Sequence, residues 1–141
     1  MYERFTDGSR RALTEAKNVA SERGDSFITP SHLILGLTLS SAEAATLLER
    51  AGVTFAGVSA SLPPLPVDSA NVKSEAIPFD DDAKEVLQEA IRLATPAHGP
   101  EPITTRHLLA GALRADTSGS AQATVARCGG SVEQLLLWTS P

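Results

Sequence analysis

The chain contains a single cysteine, Cys128, so no internal disulfide can form, and a cytoplasmic setting is the expectation. Aromatic side chains supply only 4% of the residues. That scarcity, together with few β-branched runs, argues against a sheet-built core. Positive charge is also short: 12 Lys and Arg face 17 Asp and Glu, for a formal charge of −5. The deficit sits in the second half, where residues 63–141 carry six basic and ten acidic groups against six and seven in residues 1–62. The lack of a basic footprint argues against nonspecific nucleic-acid binding, and no nucleic-acid partner is expected. No apolar run approaches the roughly 20 residues of a membrane span, and MYERFTDGSRR has no signal-peptide core, so no membrane role is expected. What is present is alanine and leucine, which favour helix, in 141 residues, enough for one compact domain.

The chain repeats itself. FTDGSRRALTEA, from Phe5, is answered by FDDDAKEVLQEA, from Phe79, at an offset of 74. ITPSHLILGL, from Ile28, is answered by ITTRHLLAGA, from Ile103, at an offset of 75, so one residue has entered the second copy's loop. Self-similarity of this length marks a duplicated supersecondary unit. Repeat one spans residues 1–62 and repeat two residues 79–141. Between them PPLPVDSANVKSEAIP, residues 63–78 with four prolines, reads as a linker.

Each copy parses into four helices. In copy one, Thr6 or Asp7 caps a helix to about Arg23, with Leu13, Ala16, Val19 and Ala20 on one face. Gly24 and Asp25 break it. Thr29-Pro30 starts a second helix, buried because Leu33, Ile34, Leu37 and Leu39 leave it apolar nearly all round. A third, near Ala42 to Ala51, stops at Gly52, and Thr54 caps a fourth to about Leu62. In copy two, Asp80 caps a helix to about Ala94, with Asp81 and Asp82 complementing its dipole. Pro96, Gly99, Pro100 and Pro102 enforce a loop. Thr104 caps a buried helix, Ser118 to Arg127 gives the third before Gly129 and Gly130, and Ser131 caps the last. The expected fold is all-α: two four-helix repeats packed as one domain, each covering the other's apolar face.

The doubled I-T-x-x-H-L-I/L-x-G block and the YERFTD start resemble the Clp N-terminal repeat domain of ClpC-type AAA+ unfoldases, across essentially the whole chain. The resemblance implies a pseudo-twofold domain that binds substrates and adaptor proteins and passes them to an ATP-driven ring. The ring's own signature is missing: the partial match from Gly52 to Gly57 is followed by Val58 where the phosphate loop needs Lys, before Ser59, so no ATP hydrolysis is expected here.

Other chemistry is sparse. His32 and His107 stand at matched positions without Cys, Asp or Glu at ligand spacing, so a helix-start role is expected and no metal. His98 sits among Gly and Pro. Cys128 has no base beside it and reads as a small apolar residue. No nucleophile elbow or H-E-x-x-H occurs, so no enzyme and no cofactor are expected. In many ClpC-type domains the block reads T-E-H, and the two glutamates help bind phosphorylated arginine. Ser31 and Arg106 stand there in this chain, and Asp80 matches Thr6, so phosphoarginine recognition is expected to be weakened.

The resemblance also implies a peptide-binding groove that takes cyclic-peptide antibiotics of the cyclomarin type. Its matching residues are Tyr2, Arg10, Leu13, Phe79, Lys84, Leu87 and Gln88, with Tyr2 and Phe79 as aromatic anchors. The alternative for Phe79, Leu13 and Leu87 is plain core packing. The leading expectation is a noncatalytic binding module of the Clp protease system, either excised from its unfoldase or a stand-alone homologue that sequesters peptides. Loss of the phosphoarginine acids with retention of the groove favours the stand-alone version. The alternative is a structural protein that docks on a Clp unfoldase ring without carrying a peptide.

Overall fold

A computed structural model of the chain describes residues 4–40, 42–61, 77–95, 99, 101–115 and 120–139. Eight helices occur among these residues. Repeat one holds α1 (Asp7–Arg23), α2 (Pro30–Leu39), α3 (Glu43–Arg50) and α4 (Phe55–Ser61). Repeat two holds α5 (Asp81–Leu93), α6 (Thr105–Arg114), α7 (Ser120–Arg127) and α8 (Val132–Trp138). The fold is all-α, as expected from the duplicated sequence. No single helix among the described residues is long and apolar enough to cross a membrane.

Local chemistry sets the helix boundaries. Thr6, Thr29, Asp80, Thr104 and Ser131 each adopt extended backbone and accept a bond from the N–H three residues on, which satisfies a donor the helix cannot pair itself. Thr54 does the same for α4, accepting from the Gly57 N–H at 3.1 Å. α3 lacks a capping side chain of its own. Its donor is met from the other repeat, because the Ala44 N–H reaches Thr105 Oγ1 at 3.2 Å. Gly52 and Gly129 stop α3 and α7 with φ of 86° and 79°, a left-handed turn that a side chain would strain. Most of the expected linker lies outside the described residues. At its end, Ile77 is buried in the core and the Pro78 carbonyl accepts the Ile28 N–H at 2.8 Å.

The two repeats are interlocked rather than merely adjacent. The segment leading into α1 pairs with the loop before α6, with Phe5 bridging Ile103. The segment leading into α5 pairs in the same way with the loop before α2, with Phe79 bridging Ile28. Matching hydrogen bonds run from the Thr6 N–H to the Ile103 carbonyl and from the Asp80 N–H to the Ile28 carbonyl, both 3.0 Å. Each repeat therefore supplies the other's missing backbone partners. The helices follow suit, since α7 packs on α2 while α3 packs on α6. Ile34, Leu35, Leu109 and Leu113 fill the shared core and are almost wholly excluded from solvent. Each such burial contributes roughly 1.5–3 kcal/mol before the cost of chain ordering. Leu39 is only half-buried, at the end of α2.

The glycine of the repeated block has a packing reason. α2 crosses α1 so closely that a Cβ on Gly36 would lie 2.1 Å from the Ala12 carbonyl oxygen. The same Cβ on Gly111 would lie 2.6 Å from the Val86 carbonyl oxygen of α5. Ala12 and Ala16 on α1, and Ala90 on α5, are buried at these crossings. Small residues on both sides let backbone meet backbone.

Candidate peptide-binding face and the histidine caps

The paired histidines close reciprocal caps. The Thr29 N–H donates to His32 Nδ1 at 2.9 Å, while the His32 N–H reaches back to Thr29 Oγ1. Thr104 and His107 repeat the arrangement, with the Thr104 N–H 3.0 Å from His107 Nδ1. An accepting Nδ1 is unprotonated, so the neutral ring carries its proton on Nε2. In His32 that proton goes to Asp25 Oδ2 at 2.8 Å, and Asp25 in turn accepts from Arg23 Nε at 3.0 Å. Burial pushes His32 below the ordinary histidine value, outweighing the nearby Asp25. Burial also lowers His107, with Glu101 opposing and Arg106 assisting. In the sequence Asp25 signals only a helix break, since a carboxylate seven residues upstream of a histidine gives no local sign of pairing. Among the described residues no group of three or more His, Cys, Asp or Glu side chains is gathered to hold a metal ion. His98 lies outside the described residues.

The two positions expected to weaken phosphoarginine recognition sit differently. Ser31 is buried, and its hydroxyl lies 2.8 Å from that of Thr124 on α7. It serves the contact between repeats. Arg106 is half-buried on α6 and brings positive charge to the matched site. Thr6 and Asp80 cap α1 and α5 through their side-chain oxygens. Cys128 is half-buried near Gly57, and burial raises its thiol above the usual range, which disfavours the thiolate.

The residues matched to the peptide groove fall into two groups. Arg10 on α1 and Lys84 and Gln88 on α5 are exposed. Leu13 and Leu87 are core residues with 7% and 5% of their surface accessible, so they support those helices from beneath. Phe79 is half-buried against the core beside its bridge to Ile28. Tyr2 lies outside the described residues. Among the described residues the exposed aromatics are Phe27, half-exposed in the loop before α2, and Phe55 at the start of α4.

A duplicated four-helix unit with swapped leading segments and a Thr-x-x-His cap in each copy defines a double-repeat, all-helical N-terminal domain of the Clp type. The chain belongs to the family described as the Clp repeat (R) N-terminal domain, which matches residues 4–123. It is 36% identical over 115 residues to an uncharacterized protein of Mycobacterium tuberculosis and, equally, to one of Mycobacterium bovis. The match takes in 77% of this chain but 42% of those proteins, so the chain spans about two-fifths of the length of these curated relatives. Its fold is similar to the crystal structure of the N-terminal domain of the caseinolytic protease associated chaperone ClpD from Arabidopsis thaliana. That similarity has a TM-score of 0.78 at 23% identity and covers 99% of this chain and 94% of that one. The Hsp104 N-terminal domain from Candida albicans is also similar, with a TM-score of 0.76 at 21% identity over 96% of this chain and 88% of the other.

Proposed function

We propose that this domain is a noncatalytic binding module of the Clp system that takes peptide segments of substrates or adaptors, and cyclic peptides of the cyclomarin type, on the exposed surfaces of α1 and α5. Family membership supports the class of function. The observation that carries the site is the matched pair of exposed cations, Arg10 and Lys84, in the first turns of α1 and α5. These side chains donate hydrogen bonds and accept none, which suits backbone carbonyls of an extended or cyclic peptide. Gln88 adds one turn of adaptable polar surface on α5. Buried Leu13 and Leu87 hold the two helices in place beneath it.

Phosphoarginine is a poor ligand for this surface. A buried Ser31 tied to Thr124 and a cationic Arg106 leave both matched positions without a carboxylate for the guanidinium. A domain that keeps cyclic-peptide affinity while losing the degradation tag would hold such peptides away from an unfoldase by mass action. Calorimetric titration with a cyclomarin-type peptide tests the reading. Binding heat and a raised melting temperature are expected, both diminished in Arg10→Ala/Lys84→Ala. The absence of heat and of any melting shift in the unaltered domain would remove it.

A further inference from the structure

We propose that repeat one carries a second ligand surface, a groove between α2, α3 and α4 that takes the lysine or arginine side chain of an extended peptide. The proposal rests on the reading of the domain as a peptide-binding module and adds to it a separate site with its own chemical preference.

The groove is open to solvent and offers about 420 Å³ of accessible space. Its lining joins Thr38 at the end of α2, Thr46 and Glu49 on α3, and Thr54 and Phe55 at the start of α4. Glu49 is its one ionisable lining residue, and it is exposed. Its carboxylate makes no hydrogen bond or ion pair with any described residue, and the Thr46 hydroxyl is likewise unengaged. Thr38 donates its proton to the Leu35 carbonyl, which leaves its lone pairs for a ligand donor. The polar side of the groove is therefore rich in acceptors and negative in charge. Phe55 also lines the groove, with 40% of its surface exposed.

That combination matches a basic side chain. An ammonium or guanidinium group offers only donors, its stem covers apolar surface, and its charge is drawn to an aromatic face. The neighbouring cation does not fill the role. Arg50 turns toward α8, with its guanidinium carbon 5.3 Å from the centroid of the Trp138 ring.

The duplication supplies the control. The matched stops at Gly52 and Gly129 and the matched caps at Thr54 and Ser131 align α3–α4 with α7–α8 at an offset of 77. On that alignment Thr46 becomes Ala123, Glu49 becomes Ala126 and Phe55 becomes Val132. Thr38 becomes Leu113 at the offset of the preceding block. Repeat two builds the same helices and keeps the capping hydroxyl at Ser131, but lacks the carboxylate, the hydroxyls of Thr38 and Thr46 and the aromatic ring. The scaffold does not need them, which points to a ligand.

The test uses the isotope-labelled chain and two blocked heptapeptides of one apolar sequence, with arginine at the centre of one and glutamine at the centre of the other. The arginine peptide is expected to shift the amides of Thr46, Glu49 and Phe55 and to bind about five- to tenfold more tightly than its partner. Exposed Glu49→Gln should abolish that preference without loss of stability, and high salt should reduce it. Equal affinity for the two peptides, or a preference that survives Glu49→Gln, overturns the groove. Shifts confined to the amides around Arg10 and Lys84 overturn it while leaving the α1–α5 module intact. No shift with either peptide overturns it too, and the cyclic-peptide titration then decides the module reading separately.

Discussion

Replacing Gly36 by alanine tests the packing argument most directly, because two effects of known sign compete there. In an ordinary helix interior the exchange stabilises by about 1 kcal/mol, since alanine has less backbone freedom to lose. Here the new Cβ would lie 2.1 Å from the Ala12 carbonyl oxygen and 2.9 Å from the Ala16 backbone nitrogen. Both obstacles are main chain, so no rotamer change relieves them, and α1 as a whole must recede by about 1 Å. Overpacking of a tight core costs roughly 1–3 kcal/mol and sometimes more, and with main chain blocking the Cβ at 2.1 Å a cost of about 3–4 kcal/mol is expected before the gain of about 1 kcal/mol is subtracted. Gly36→Ala is therefore expected to destabilise by about 2–3 kcal/mol net, or roughly 6–12 °C in melting temperature for a chain of this size. Gly111→Ala should cost less, about 1–2 kcal/mol, because its nearest obstacle, the Val86 carbonyl oxygen, is 2.6 Å away. Ala12→Gly should not rescue Gly36→Ala, since the obstacle is the carbonyl and not the methyl group. Thermal melts followed by circular dichroism decide the matter. A raised melting temperature for Gly36→Ala, or a larger loss for Gly111→Ala than for Gly36→Ala, would refute the reasoning.

The histidine caps give a pH signature. His32 is held below its ordinary value of 6.5, so the native state stays neutral where the unfolded chain already takes up a proton. Its stabilisation is complete above about pH 6.5 and falls below it, by at most about 1.4 kcal/mol per pH unit until the folded-state pKa is reached. His107 acts in the same direction. Urea titrations between pH 7.5 and 5 should show the decline, and His32→Gln should flatten it; an unchanged slope would sink the cap assignment. Arg4 pins the repeats together by donating to the Ala94 carbonyl, Thr95 Oγ1 and the Glu101 carbonyl. Arg4→Met is expected to cost about 1–2 kcal/mol in urea unfolding, and a loss under 0.5 kcal/mol would show the contacts to be idle. Restoring an acid at the tag positions should split the repeats. Arg106→Glu is expected to raise phosphoarginine affinity at little cost. Ser31→Glu should lower stability by about 1–3 kcal/mol, because a carboxylate must then be buried against Thr124. Titration and melting of the two variants would expose an error if Ser31→Glu proved as well tolerated as Arg106→Glu.

Helix starts were legible because their chemistry is local. Thr29-Pro30, Asp80 and Ser131 announce themselves within four residues, and the structure places caps at each. Contacts between distant residues were not legible. The Ser31 hydroxyl finds Thr124 across 93 positions, and Asp25 meets His32 only because the loop before α2 turns back. Leu13 and Leu87 show the limit from the other side. Family likeness points to both and helical periodicity to Leu13, and their burial makes them foundations of the proposed face rather than its contact surface.

Comparing the two copies separates what packing demands from what it permits. Thr29 and Thr104, His32 and His107, and Gly36 and Gly111 agree because each is fixed by main chain: a cap, a reciprocal bond, a close crossing. At Glu49 and Ala126, or Phe55 and Val132, the side chain meets solvent or a groove, and the copies have diverged. Divergence between two units under one folding constraint is thus a local measure of freedom from that constraint. Where the freed position carries a carboxylate without a partner among the described residues, in a concave surface that an exposed ring also lines, solvation alone would not require both. The asymmetry of the repeats, more than their likeness, is therefore where a ligand preference should be sought.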